Sequence, residues 1–111
     1  MRETRRTERA IVDAILRDLK ARGVWVTKTY GSQLRRGLPD LICCVRGRFV
    51  GLEVKRPGRT ATPLQEEELR RITSAGGTAR VVFSVADVAE LVAELVGETV
   101  GGAAKRARSR R

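Results

Sequence analysis

The sequence contains no histidine. That absence removes imidazole acid–base chemistry, Ser-His and Cys-His nucleophile pairs, and any Cys/His zinc site. Cysteine is scarce as well. Cys43 and Cys44 are adjacent, too close to staple a loop and too few for a secreted disulfide framework. No run approaches the ~20 apolar residues of a membrane span, and the basic start of the chain lacks the apolar stretch of a signal peptide. An intracellular, reducing, cytoplasmic setting is the expectation. Aromatic residues make up only 4% of the chain, which excludes an aromatic-rich single-strand platform and leaves Trp25 and Tyr30 as isolated stacking candidates. Catalysis, if present, must use carboxylates, lysine, hydroxyls or a borrowed metal ion.

Positive charge is abundant. Against 13 Asp+Glu stand 23 Lys+Arg, giving +10 over 111 residues and pointing to a polyanionic partner, most naturally nucleic acid. The length supports a single domain. The excess is uneven: the last seven residues, KRARSRR, carry five positive charges and the first seven a net two, leaving +3 for residues 8–104. Residues 98–111 have almost nothing to bury and read as a disordered basic tail after a domain of residues 1–97. That tail is either a solubilising end or a sequence-blind phosphate contact. Between Asp18 and Glu66 lie ten Lys or Arg and only two carboxylates, Asp40 and Glu53. The other acids cluster on what read as solvated helix faces. Two lone carboxylates in a basic stretch suit anions that hold a divalent metal against a phosphate backbone.

Periodicity supplies the frame. Ile11, Val12, Ile15, Leu16 and Leu19 recur at helical spacing, predicting a helix from about Thr4 to Arg22 that Gly23 stops. Glu8 shares that apolar face or its edge, or else simply favours the helix's positive end. Val24–Tyr30, Asp40–Val45 and Phe49–Lys55 read as three strands of an antiparallel meander, with a loop over Gly31–Pro39. Cys43 and Cys44 then pack on opposite faces of a central strand. Thr62-Pro63-Leu64-Gln65 combines an N-cap threonine, a first-turn proline and a capping-box glutamine, opening a helix to about Ala75. Leu69 and Ile72 follow Gln65 at helical spacing, so Gln65 could share their inward face. Thr78–Phe83 is a fourth strand, and Ser84 caps a last helix with Val88, Leu91, Val92 and Leu95 as its stripe. The order α-β-β-β-α-β-α implies an α/β three-layer sandwich around a mixed sheet.

A tight turn near Gly47 would set Asp40 opposite the Glu53–Lys55 segment, with Cβ atoms on one face about 4.5–5.5 Å apart. Two carboxylates so placed repel unless one is protonated or a cation lies between them. Lys55, on the same face as Glu53, supplies one positive charge, and an oxygen-ligated divalent metal would supply the rest. Arg35, Arg36, Arg56 and Arg59 flank these residues as candidate phosphate contacts, with solvated loop charge as the alternative.

GLPD (Gly37 to Asp40) followed by EVK (Glu53 to Lys55), thirteen residues after the aspartate, resembles the PD-(D/E)xK nuclease motif. With Glu8 on the first helix and Gln65 on the second, the set is most similar to the virus-type replication-repair nuclease (VRR-NUC) family. It also resembles the archaeal Holliday-junction resolvases, whose loop serine Ser32 would match. The likeness spans residues 8–95. It implies a restriction-endonuclease-like fold and a metal-dependent, structure-selective DNA endonuclease, a Holliday-junction resolvase of phage or prophage type acting in DNA repair. By that resemblance Asp40, Glu53 and the Val54 carbonyl hold Mg²⁺ or Mn²⁺, joined by Glu8 directly or through water. Lys55 orients the attacking water or neutralises the transition state, and Gln65 positions. No helix-turn-helix or zinc finger is apparent, so DNA shape is read before sequence. So small a domain offers little surface for a branched substrate, which favours a homodimer. A non-catalytic DNA-binding module that kept the fold is the other reading.

Overall fold

Thr7 is extended (φ −73°, ψ 159°), and its hydroxyl accepts the Ala10 N–H at 3.0 Å. That cap satisfies one of the N–H groups a helix leaves unpaired, and it fixes the start of α1 (Glu8–Ala21) four residues later than the periodicity predicts. The computed structural model describes residues 7–29 and 36–97. β1 (Trp25–Lys28) is shorter than the expected strand, and Tyr30 lies outside the described residues. β2 (Leu41–Val45) and β3 (Arg48–Val54) follow. Arg46 and Gly47 join them, both at positive φ (52° and 83°). This is the two-residue turn whose twist matches a hairpin, and glycine takes its second position without strain.

α2 (Pro63–Ser74) opens on the expected capping box: Thr62 Oγ1 accepts the Gln65 N–H, and the Gln65 side chain accepts the Thr62 N–H. β4 (Thr78–Val82) and α3 (Val85–Gly97) complete the order, with Ser84 Oγ accepting the Asp87 N–H. Among the described residues no helix is long and apolar enough to cross a membrane.

The strands form one mixed sheet in the order β1-β2-β3-β4. β1, β2 and β3 are antiparallel neighbours; β4 lies parallel to β3, with α2 as the crossover a parallel pair requires. Val26, Cys43 and Val50 are register partners on one face, as are Leu41 and Leu52. Against this face pack Ile11, Ile15 and Leu19 of α1 and Val88, Leu91 and Leu95 of α3, forming the core. Each such side chain contributes roughly 1.5–3 kcal/mol on full burial.

The opposite face carries Ile42, Cys44, Phe49 and Gly51. A Cβ on Gly51 would stand 3.0 Å from Pro39 Cγ and 3.2 Å from Ile72 Cδ1, so the missing side chain lets α2 and Pro39 close over β3. Every residue from Val50 to Val54 is therefore buried, on both faces of the strand. α2 itself buries no residue; among the described residues it packs chiefly on β4 and β3. The expected three-layer sandwich is present, with the third layer half filled.

Candidate active site

Asp40 stands one step before β2, and three bonds fix it there. Its carbonyl accepts the Thr29 N–H at 3.0 Å, the Thr29 hydroxyl donates to the Pro39 carbonyl at 2.7 Å, and Asp40 Oδ2 accepts the Val54 N–H at 2.8 Å. The Leu41–Leu52 pairing, continued by one residue, sets Asp40 against Glu53. The hairpin geometry expected for these two carboxylates is the one found.

Glu53 is 2% exposed on a central strand, where an ionised carboxylate is costly without compensation. Its Oε2 lies 3.7 Å from Lys55 Nζ. Its Oε1 is buried and has no hydrogen-bond partner among the described residues. Burial first, then the neighbouring Asp40 charge, push the Glu53 carboxyl up to about 8, with Lys55 pulling the other way. Asp40 is also raised, by burial above all, although the Val54 N–H bond opposes the shift. The pair can hold one proton, or share a cation; two bare negative charges are disfavoured. Lys55 is held by its own main-chain N–H, which donates to the Val82 carbonyl at 3.0 Å on β4.

Glu8, the first residue of α1, uses Oε2 to accept the Arg56 N–H at 3.2 Å. It pins the loop after β3 and lines, with Thr7, Lys55, Arg56 and Arg59, a cleft of about 220 Å³. Three cations against one carboxylate make this cleft receptive to an anion. Glu8 does not complete a three-carboxylate cluster with Asp40 and Glu53: among the described residues no three Asp, Glu, Cys or His side chains converge. The donor set still suits a hard divalent cation. Asp40 and Glu53 offer oxygens, Glu53 Oε1 lacks any other partner, and their mutual repulsion is what such an ion relieves.

No protein-family model and no curated protein matches this chain. Two solved structures do. One, described as "VRR_NUC domain", is 27% identical with a TM-score of 0.64, covering 83% of this chain and 97% of its own. The other, "VRR_NUC domain protein", is 20% identical with a TM-score of 0.66, covering 79% and 86%. The chain has the fold of these VRR_NUC structures. It is thus a nuclease-type domain in fold, with the sheet and three helices that the neighbours share.

Within this fold the remaining expected site residues part company. Gln65 is occupied locally: its carbonyl oxygen closes the α2 capping box at 2.9 Å from the Thr62 nitrogen, which leaves its amide group as the side chain's donor. The inward face imagined for it is partial, since Leu69 and Ile72 are only half-buried. Arg36 is exposed on the loop ahead of Asp40. Ser32 and Arg35 lie outside the described residues, as does the basic tail. Cys43 is buried in the core and Cys44 exposed on the other face, as alternation requires. The residue that sequence reasoning missed is Thr29, whose hydroxyl and N–H hold the Pro39-Asp40 step. Its signal was a threonine at the far end of a strand, which alone says nothing of a partner ten residues away.

Proposed function

We propose that this VRR_NUC domain is a metal-dependent, structure-selective DNA endonuclease, with a four-way junction as its preferred substrate and a homodimer as its working form. The observation that carries the reading is buried Glu53 facing half-buried Asp40 beside Lys55, with one Glu53 oxygen left without a hydrogen bond. Lys55 compensates one Glu53 oxygen; the other is buried with no hydrogen-bond partner among the described residues, which suits a ligand for a second positive charge.

Asp40, Glu53 and the Val54 carbonyl would hold Mg²⁺ or Mn²⁺, with Glu8 acting through an intervening water. The ion, when bound, supplies the charge that makes a phosphodiester electrophilic and a water acidic. The protein's own groups do the rest. Lys55 Nζ, tethered near Glu53, orients the attacking water and offsets the negative charge that builds on the phosphoryl oxygens. Arg56 and Arg59 line the cleft beside it and hold the flanking backbone, while Glu8 fixes the Arg56 main chain. Such contacts grip phosphates and carry no base sequence.

The test is cleavage of a panel of junction, flap, fork and duplex DNA with Mg²⁺ or Mn²⁺, set beside Asp40→Ala. Cleavage that the variant loses and chelator abolishes supports the enzyme. Metal-independent binding shared by both proteins, without cleavage, means a binding module. The diversion of Glu8 to Arg56 and of Gln65 to its cap is what favours that second reading.

A further inference from the structure

Arg56-Pro57-Gly58-Arg59, the segment that leaves β3, is a defined turn. The Arg56 carbonyl accepts the Arg59 N–H at 3.0 Å, and Gly58 sits at φ 92°. Proline at the second position and a positive-φ glycine at the third are the marks of a type II turn. A Cβ on Gly58 would meet nothing within 4 Å, so glycine is needed there for its backbone angle and not for space. The first and last residues of such a turn stand within about 7 Å of each other. Here both are arginines, and both line the cleft beside Lys55. Neither guanidinium has an ion-pair partner among the described residues.

Glu8 is the one carboxylate lining that cleft, and it meets the turn through the main chain. Its Oε2 accepts the N–H of Arg56, the residue at which the turn begins, at 3.2 Å. The Thr7 cap fixes the start of α1, so Glu8 ties the turn to the end of a helix. By charge alone a carboxylate among three cations repels an incoming phosphate. Its place in the cleft makes sense where the anchoring outweighs that repulsion.

We propose that Glu8 is a positioning residue for this turn: by holding the Arg56 main chain it sets Arg56 and Arg59 as a two-pronged clamp on adjacent phosphates of one DNA strand. This role rests on the DNA-binding part of the proposed function and needs neither cleavage nor a metal ion. It uses Glu8 as a hydrogen-bond acceptor, and the negative charge is incidental to it.

The sign of one substitution tests the clamp. The full chain is titrated with a fluorescent duplex oligonucleotide in chelator over a salt series, alongside Glu8→Ala, Glu8→Gln and Gly58→Ala. Each protein is measured well below its own melting midpoint, so that lost affinity does not report unfolding. Both Glu8 variants remove the charge, but only glutamine keeps an oxygen for the Arg56 N–H. Were charge all that mattered, both would bind more tightly than wild type. The clamp requires Glu8→Ala to bind about tenfold more weakly, and Glu8→Gln to match or exceed wild type. The slope of log K against log salt should become shallower in Glu8→Ala, by about 1.8 where both phosphate contacts are lost. Gly58→Ala leaves the anchor in place but strains the turn, and should repeat both changes. Unchanged or tighter binding by Glu8→Ala overturns the clamp, and so does a Glu8→Gln that fails to recover affinity. If the wild type cleaves the DNA panel while these variants bind as it does, the clamp alone falls. A wild type that neither binds nor cleaves overturns the reading beneath it as well.

Discussion

Val54 gives its main-chain N–H to Asp40 Oδ2 at 2.8 Å, so the strand that carries Glu53 also holds the carboxylate opposing it. The two acids cannot drift apart to relieve their repulsion without breaking this part-buried bond. The protein thus holds two like charges together by backbone geometry, and stability, pH and metal binding become coupled at one place.

Asp40→Asn keeps an acceptor for the Val54 N–H and removes one charge. Cleavage should fall by about 10²–10³-fold or more, since a charged ligand is removed. Metal-free stability at pH 8 should rise, by ~1 kcal/mol for each pH unit by which Glu53 is relieved. Nuclease assays and urea denaturation in chelator check the two halves separately.

The Glu53 carboxyl has an ordinary value of 4.5 and is raised to about 8 in the fold. Between those values the folded state binds the proton that the unfolded state has released, so metal-free stability falls as pH rises through that window. Denaturation midpoints in chelator should decline from pH 5 to pH 8, and Glu53→Gln should flatten the decline. Added Mg²⁺ or Mn²⁺ should raise the wild-type melting temperature more at pH 8 than at pH 5, and leave Glu53→Gln unmoved.

Thr29→Val removes a buried hydroxyl and leaves the Pro39 carbonyl without that donor. A drop of about 1–2 kcal/mol in stability is expected from denaturant unfolding. Because the hydroxyl touches neither substrate nor ion, kcat should fall through the displaced Asp40 while KM changes little.

Gly51→Ala places a methyl 3.0 Å from Pro39 Cγ. Overpacking of this kind costs typically 1–3 kcal/mol. Pro39 precedes Asp40, so metal affinity should weaken together with the melting temperature, which calorimetric titration reads directly.

Arg56→Ala and Arg59→Ala should weaken binding to all DNA forms alike. Where the arginine neutralises one phosphate, its removal should make the slope of log K against log salt shallower by about 0.9 for duplex DNA. Fluorescence anisotropy over a salt series measures it.

The pair Asp40–Glu53 was legible in the sequence because one short hairpin carries both residues, and a glycine at 47 announces its turn. The capping box of α2 was legible for the same reason, since Thr62 and Gln65 are three residues apart. What that local reading could not weigh was competition: Gln65 has one carbonyl oxygen, and the cap uses it. Glu8 and Arg56 are 48 residues apart, and Thr29 bonds across a loop to Pro39, so neither interaction leaves a trace in spacing. The start of α1 was misplaced because charged residues ahead of Thr7 extend a helical pattern without breaking it; the cap geometry alone ends it.

The turn at Arg46-Gly47 imposes a parity on the chain. Strand residues alternate faces, so adding or removing one residue between Asp40 and Glu53 would either break the pairing or carry Glu53 into the layer of α1 and α3. Length in that hairpin can therefore change only two residues at a time, beyond the turn's own pair. A random single-codon insertion library across the paired residues 41–45 and 48–52 should be almost empty of survivors.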